Sequence, residues 1–289
     1  MKVELKGILP ATITPFDNQE KFAVGPYEAL LARLYAANID GIYVCGQTGE
    51  GLLQSVEQRK QVAEVAVRSS PNGKQVIVHV GAFRTADALE LTRHASRLGV
   101  TAISALPPFG PYNFAEVRAY YAAIAAASEV PLLVYYFPDS FPSVKTSEHV
   151  LALCEIPNVI GLKYTDFDLF RMRSVRQTGV TIFNGRDEVL AAGLMFGADG
   201  GIGTFYNVTP EWFVDLYRCS QAGDWDGARA LQDKINAVIR VTLDFPVFPA
   251  IKEILRWQGI ECGACILPRA GLTPEQAIDL RRKLEPCGL

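Results

Sequence analysis

No stretch of the 289 residues stays apolar for long enough to cross a bilayer, which excludes a membrane-spanning helix. Charge of one sign is also scarce. Lys and Arg number 28 against 31 Asp and Glu, and the net charge of −3 gives no general pull toward nucleic acid or an anionic membrane. The opening MKVELKGILPATITPF lacks the uninterrupted apolar core and small-residue cleavage site of a secretory leader, so a cytoplasmic location is expected. The six cysteines (Cys45, Cys154, Cys219, Cys262, Cys265, Cys287) are scattered through a chain large enough to need no disulfides, and they read as reduced thiols. Cys262 and Cys265 form CGAC, but structural zinc takes four ligands, and neither a second pair nor a nearby histidine completes the set. No metal site is expected. The NVT at Asn207 matches a glycosylation acceptor and is idle without a secretory signal.

What the chain does have is a recurring unit. Short apolar, β-branched runs (GILPATIT, GIYVCG, QVIVHVG, VTAISAL, PLLVYYF, VIGLKY, TIFNG and GGIGTFYN) alternate with stretches such as PYEALLARLYAANI and VEQRKQVAEVAVRSS, whose apolar residues have helical spacing. Strands that alternate with helices imply a parallel sheet, because parallel strands need long crossovers. Eight such units predict an α/β fold, a (β/α)8 TIM barrel over residues 1–210. Strand signals then fade, and 211–289 reads as C-terminal helices packed on the barrel as part of one structural unit. In LTPEQ, Thr273 is expected at an N-cap, Pro274 in the first turn and Gln276 at the capping-box position.

A barrel of this kind carries its chemistry where strands end. Polar residues gather there: Gln47, Thr48 and Glu50 after the second run; Tyr135 and Tyr136 in the fifth; Lys163 and Thr165 at the sixth; Asn184, Asp187 and Glu188 at the seventh; Thr204 and Tyr206 at the eighth. Lys163 stands inside a run that otherwise belongs in a buried strand, and lysine is rarely buried unless paired. Burial disfavours the protonated amine, and a neutral amine can attack a ketone to form a Schiff base. The alternative is a lysine reaching solvent or pairing with Asp166. Tyr135, one strand away, is placed to relay protons, or else is a strand aromatic with a satisfied hydroxyl. In GIYVCGQTGEG, Gly46, Gly49 and Gly51 are expected to let the backbone turn sharply, exposing N–H groups that bind a carboxylate beside the helix starting near SVEQRK. The loop has no lysine after its glycines and is therefore no Walker loop. A lysine, a tyrosine and a carboxylate cradle on neighbouring strands describe a site for an α-keto acid.

GILPATITPFD, GIYVCGQTGEG, LLVYYFP, GLKYTD, FNGRDE and GADGGIGTFYN, in this order and spacing, resemble the dihydrodipicolinate synthase / N-acetylneuraminate lyase family of class I pyruvate aldolases, over nearly the full chain and closer to the lyase branch. The resemblance implies Lys163 as the Schiff-base lysine and Tyr135 as the proton relay. It implies keto-acid contacts from Gln47, Thr48 and Gly49, and a substrate-binding rim of Thr165, Gly185, Arg186, Asp187, Glu188 and Thr204. It also implies a homotetramer and no metal or organic cofactor. The partners would be a 2-keto acid and an aldehyde, with no nucleic acid and no membrane.

Three positions depart from the family pattern. Gln47 stands where Ser or Thr is usual. Gly110 replaces a tyrosine contributed to the neighbouring subunit's relay, for which Tyr112 is the candidate substitute. Arg186 is atypical, and is expected to favour an acidic substrate. After the fifth run the synthases' arginine is missing, and Asp139 is expected to repel a carboxylate there; ionised Asp187 and Glu188 suit a polyhydroxylated one. The expected reaction is cleavage of N-acetylneuraminate or a relative to pyruvate and an aldehyde. The alternatives are a 2-keto-3-deoxy sugar acid aldolase or dehydratase, dihydrodipicolinate synthase, and a keto-acid binder without activity.

Overall fold

A computed structural model describes residues 4–289. Each apolar run folds as a short strand: β1 (Gly7–Pro10), β2 (Gly41–Val44), β3 (Gln75–His79), β4 (Ala102–Ala105), β5 (Leu132–Tyr136), β6 (Val159–Tyr164), β7 (Thr181–Asn184) and β8 (Gly200–Gly203). All neighbours pair in parallel, in the order β1-β8-β7-β6-β5-β4-β3-β2. A parallel bridge from Ala11 to Tyr43, with the Thr12 amide donating to Tyr43 O (2.9 Å), joins the first and last strands of that order. The eight strands thus form a nearly closed TIM barrel.

Each strand is buried on both faces, as parallel strands are. Alternate residues divide between two apolar cores. Leu9, Tyr43, Ile77, Leu133, Tyr135, Phe183 and Ile202 fill the barrel, while Val44, Val134, Tyr136, Leu162 and Tyr164 face the surrounding helices. The period of two therefore decides which end-of-strand residues face inward. Tyr135 does; Tyr136 points outward, its hydroxyl between Asp166 (3.3 Å) and Arg171 (2.6 Å).

Helices begin where short polar side chains cap them. Ser55 accepts the Gln58 amide at the start of α2 (Val56–Ser69), and Asn113 and Glu116 form a capping box at α4 (Phe114–Ala126). The segment after β8 splits into α8 (Pro210–Gln221) and α9 (Trp225–Thr242). Gly223 breaks it with φ of +74°, and Asp224 caps α9 by accepting the Gly227 amide. Helix α8 packs on β1 and so completes the eighth strand–helix unit. Two more helices follow, α10 (Val247–Trp257) and α11 (Pro274–Leu284), the latter with the expected Thr273–Gln276 capping box and Pro274 in its first turn.

Candidate active site

Pairing of β5 with β6 sets Tyr135 opposite Lys163, and pairing with β7 sets Lys163 opposite Phe183. All three point into the barrel near its C-terminal end. Lys163 is 4% exposed, and its Nζ lies 3.9 Å from the Tyr135 ring centroid and 4.6 Å from that of Tyr43. It has no hydrogen-bond acceptor and no counter-ion among the described residues. Asp166, the alternative partner, is held instead by Arg171 (3.2 Å). The Tyr135 hydroxyl likewise makes no hydrogen bond among the described residues, although its ring is buried edge-on against Tyr43 and His79.

Around this pair lies a support that the sequence did not single out. Tyr43 donates to Ser104 Oγ (3.1 Å). His79 Nε2 accepts the Leu106 amide (3.0 Å), and buried Arg59 donates to the carbonyls of His79 (2.7 Å) and Gly81 (2.9 Å). Burial, then the charge of Arg59 and of Lys163, push the His79 imidazole well below its ordinary pKa, so its ring packs as a neutral group. Along β2, where Val44 faces the helices, period-two alternation puts Tyr43 on the inner face. Nothing local would have found Arg59, which arrives from α2.

The shape of the GQTGE turn has a different cause than glycine's conformational freedom. None of its glycines has positive φ; the left-handed residues are Cys45 (+58°) and Glu50 (+56°). The glycines are needed for close approach: a Cβ on Gly51 would lie 1.8 Å from Cys45 O. The amides of Gln47, Thr48 and Gly49 donate to nothing within the described chain, as a carboxylate site requires. At the α2 end, Ser55 takes the Gln58 amide. Thr48 Oγ1 meets Thr204 Oγ1 at 2.7 Å, which ties the turn to the end of β8. Half-buried Gln47 lines a cavity of about 300 Å3 with Leu52, Phe83, Phe109 and Phe141. Glu50 is wholly internal: it pairs with Lys252 (3.0 Å) and Arg269 (3.3 Å) and accepts the Ile266 amide (2.9 Å).

The rim residues separate on inspection. Thr165 Oγ1 is buried without a partner, and Gly185 leaves it room, since a Cβ there would lie 2.1 Å away. Asp187 is not the free hydroxyl acceptor the sequence suggested. It is 6% exposed and accepts the Phe205 amide (2.8 Å), and burial raises its pKa to about 7. Glu188, half-buried, keeps its carboxylate unbonded within the described chain. Arg186 is not free for an acidic substrate either, because it is ion-paired with Asp139, the residue expected to repel one. Tyr112 is 40% exposed, packs over Gly110 and does not reach Tyr135 within one chain.

Cys262 and Cys265 are buried free thiols, both raised to about 12 by burial. Among the described residues no three His, Cys, Asp or Glu side chains gather as a metal would require, and no helix is long and apolar enough to cross a membrane.

Known proteins are similar to nearly the whole chain. An N-acetylneuraminate lyase of Rhizobium meliloti is 36% identical over 288 residues, spanning 98% of this chain and 96% of the relative. A Ruminococcus gnavus sialic acid aldolase, also solved as a catalytic lysine mutant, superposes with a TM-score of 0.93 at 30% identity, covering 98% of this chain and 97% of the neighbour. A Clostridium difficile protein solved in complex with mannosamine superposes equally well, at 26% identity over 98% and 99% of the two chains. The model of the dihydrodipicolinate synthetase family matches residues 4–286, and the chain belongs to that family.

Proposed function

We propose that this protein is a Schiff-base aldolase that cleaves N-acetylneuraminate, or a close relative among sugar-derived 2-keto acids, to pyruvate and an aldehyde. The observation that carries the reading is Lys163: buried, unpaired, and 3.9 Å from the ring of a tyrosine whose hydroxyl is also unclaimed. A buried cation without a partner is costly, and such groups cluster at functional sites. The names of the relatives support the same class of reaction, and one of them has a lysine described as catalytic.

In this reading the substrate carboxylate sits on the Thr48 and Gly49 amides and the Thr48 hydroxyl. The Lys163 amine adds to the C2 carbonyl, and water leaves to give an iminium. As the C3–C4 bond breaks, its electrons pass into the iminium and form an enamine, while the C4 hydroxyl proton departs through the Tyr135 relay and the aldehyde is released. Protonation at C3 and hydrolysis then return pyruvate and free Lys163. The covalent bond to Lys163 takes the place of an added cofactor. Thr165, Thr204 and Glu188 supply hydrogen bonds to the polyol. Assembly into the family's tetramer would cover the exposed rings of Phe83, Phe109 and Tyr112 (57%, 62% and 40% exposed).

Intact-protein mass after incubation with pyruvate and borohydride tests the chemistry. A reduced adduct is expected in the wild type and absent in Lys163→Arg; no adduct in either overturns the aldolase reading. Release of pyruvate from N-acetylneuraminate then tests the substrate. An adduct without cleavage would favour a keto-acid binder.

A further inference from the structure

One charged pair at the barrel mouth has no place in the steps above. Arg186 follows Gly185 at the end of β7, in the turn that opens with Asp187. Its guanidinium lies 4.4 Å from the Phe167 ring centroid and 5.3 Å from that of Phe137, and is ion-paired with Asp139. Phe137 in turn stacks on Tyr135, with planes 10° apart and centroids separated by 6.2 Å. A run of packed groups therefore leads from the Lys163 amine through Tyr135 and Phe137 to Arg186. Along it lie two buried donors without acceptors among the described residues, Thr165 Oγ1 and Arg186 Nε.

The two halves of the ion pair differ. Arg186 is 17% exposed and held by rings, whereas Asp139 is 65% exposed on the loop after β5. An ion pair with one end in water contributes little to stability, so Asp139 is a replaceable partner. A guanidinium offers a planar fork that takes a carboxylate with two parallel bonds, and its unused Nε is part of that fork. With Asp139 in place, an acidic aldehyde finds the cation occupied and a negative charge beside it. A neutral polyol meets no such opposition.

We infer that Asp139 masks a latent anion site at Arg186, and that this pair sets the charge selectivity of the aldehyde half: neutral aldehydes are accepted, and those ending in a carboxylate are rejected until the mask is removed. The inference rests on the aldolase reading. Its test uses condensation with pyruvate of two aldehydes that differ only at the terminal carbon, N-acetylmannosamine and its C6 carboxylate form, N-acetylmannosaminuronate. Wild type should favour the neutral aldehyde. Asp139→Asn should raise the ratio of kcat/KM for acid over neutral by tenfold or more, with the gain weakening as salt is added. Asp139→Asn combined with Arg186→Gln should return the ratio to near the wild-type value. A ratio that moves less than threefold in Asp139→Asn overturns the inference while leaving the aldolase reading standing, and so does a gain that survives loss of Arg186. A wild type that condenses neither aldehyde removes the aldolase reading, and this inference with it.

Discussion

Two lysines are buried to the same depth, at 4% exposure, and they are dressed in opposite ways. Lys252, on α10, meets Glu50 at 3.0 Å, donates to Ala264 O at 2.8 Å and lies over the Phe16 ring. Lys163, on β6, has two aromatic rings and no acceptor. Burying an ammonium is tolerated when a carboxylate and a carbonyl replace its water, and Lys252 has both. Its role is to hold the far end of the chain against the turn that forms the carboxylate cradle, because Glu50 is part of that turn and also takes Arg269 and the Ile266 amide. Lys163 lacks such replacement among the described residues. Depth of burial is the same; the difference is whether the amine is already engaged.

Removing each amine should break the two sites in opposite respects. Lys163→Met is expected to lower turnover by at least about 10^3-fold, as loss of a covalent nucleophile does, with stability unchanged or raised by about 1–2 kcal/mol. Turnover and urea midpoints on one preparation check both halves, and a large loss of stability would mean that Lys163 is structural. Lys252→Met leaves Glu50 with Arg269 alone as cationic partner among the described residues, and should cost about 3 kcal/mol, the low end for breaking a buried pair. Pyruvate binding should weaken with it, read as a rise in the pyruvate concentration needed for half-maximal borohydride trapping.

The same contrast extends to an acid. Asp187 is buried like Glu50 but has no ion-pair partner among the described residues, and burial lifts its pKa from 3.8 to about 7, against the Phe205 amide and the charge of Lys163 and helped by Glu188. The folded state then holds the proton more tightly than the unfolded chain. This contribution to stability is complete below about pH 4, declines as pH rises toward 7 and is flat above, at most on the order of 4 kcal/mol. Thermal midpoints across pH 4–8 should show that decline, and Asp187→Asn should flatten it.

The fold was legible because each strand is buried on both faces and so reads as an apolar run, and because several helices announce themselves with capping residues such as Thr273. The break at Gly223, which separates α8 from α9, was not foreseen. In the site, Lys163 stood out as a charge in an apolar strand. What local pattern could not reveal was who answers whom. Arg186 and Asp139 are 47 positions apart, and Arg59 reaches His79 from another element. Arg186, Asp139 and Asp187 were given ligand-facing roles from their charge and the family resemblance, and each also meets a partner within the protein. The glycines of the cradle were identified correctly as necessary and explained wrongly: contact with Cys45, not backbone freedom, excludes a side chain at Gly51.

The smallest expected effect is the sharpest test of the contrast, because it uses one conservative change at both lysines. Arginine keeps the charge, so Lys252→Arg preserves attraction to Glu50; but its planar fork must replace a compact ammonium fitted between a carboxylate, the Ala264 carbonyl and Phe16. Misfit in a packed interior costs about 1–3 kcal/mol, and the lower end is expected here because Glu50 retains a cationic partner. Borohydride trapping of pyruvate should persist. Lys163→Arg reverses the pattern: the guanidinium stays charged and cannot form the Schiff base, so trapping disappears although charge and approximate length are kept. If Lys252→Arg abolished trapping while folding normally, the buried pair would belong to the chemistry as well, and an engaged amine would no longer identify a structural lysine.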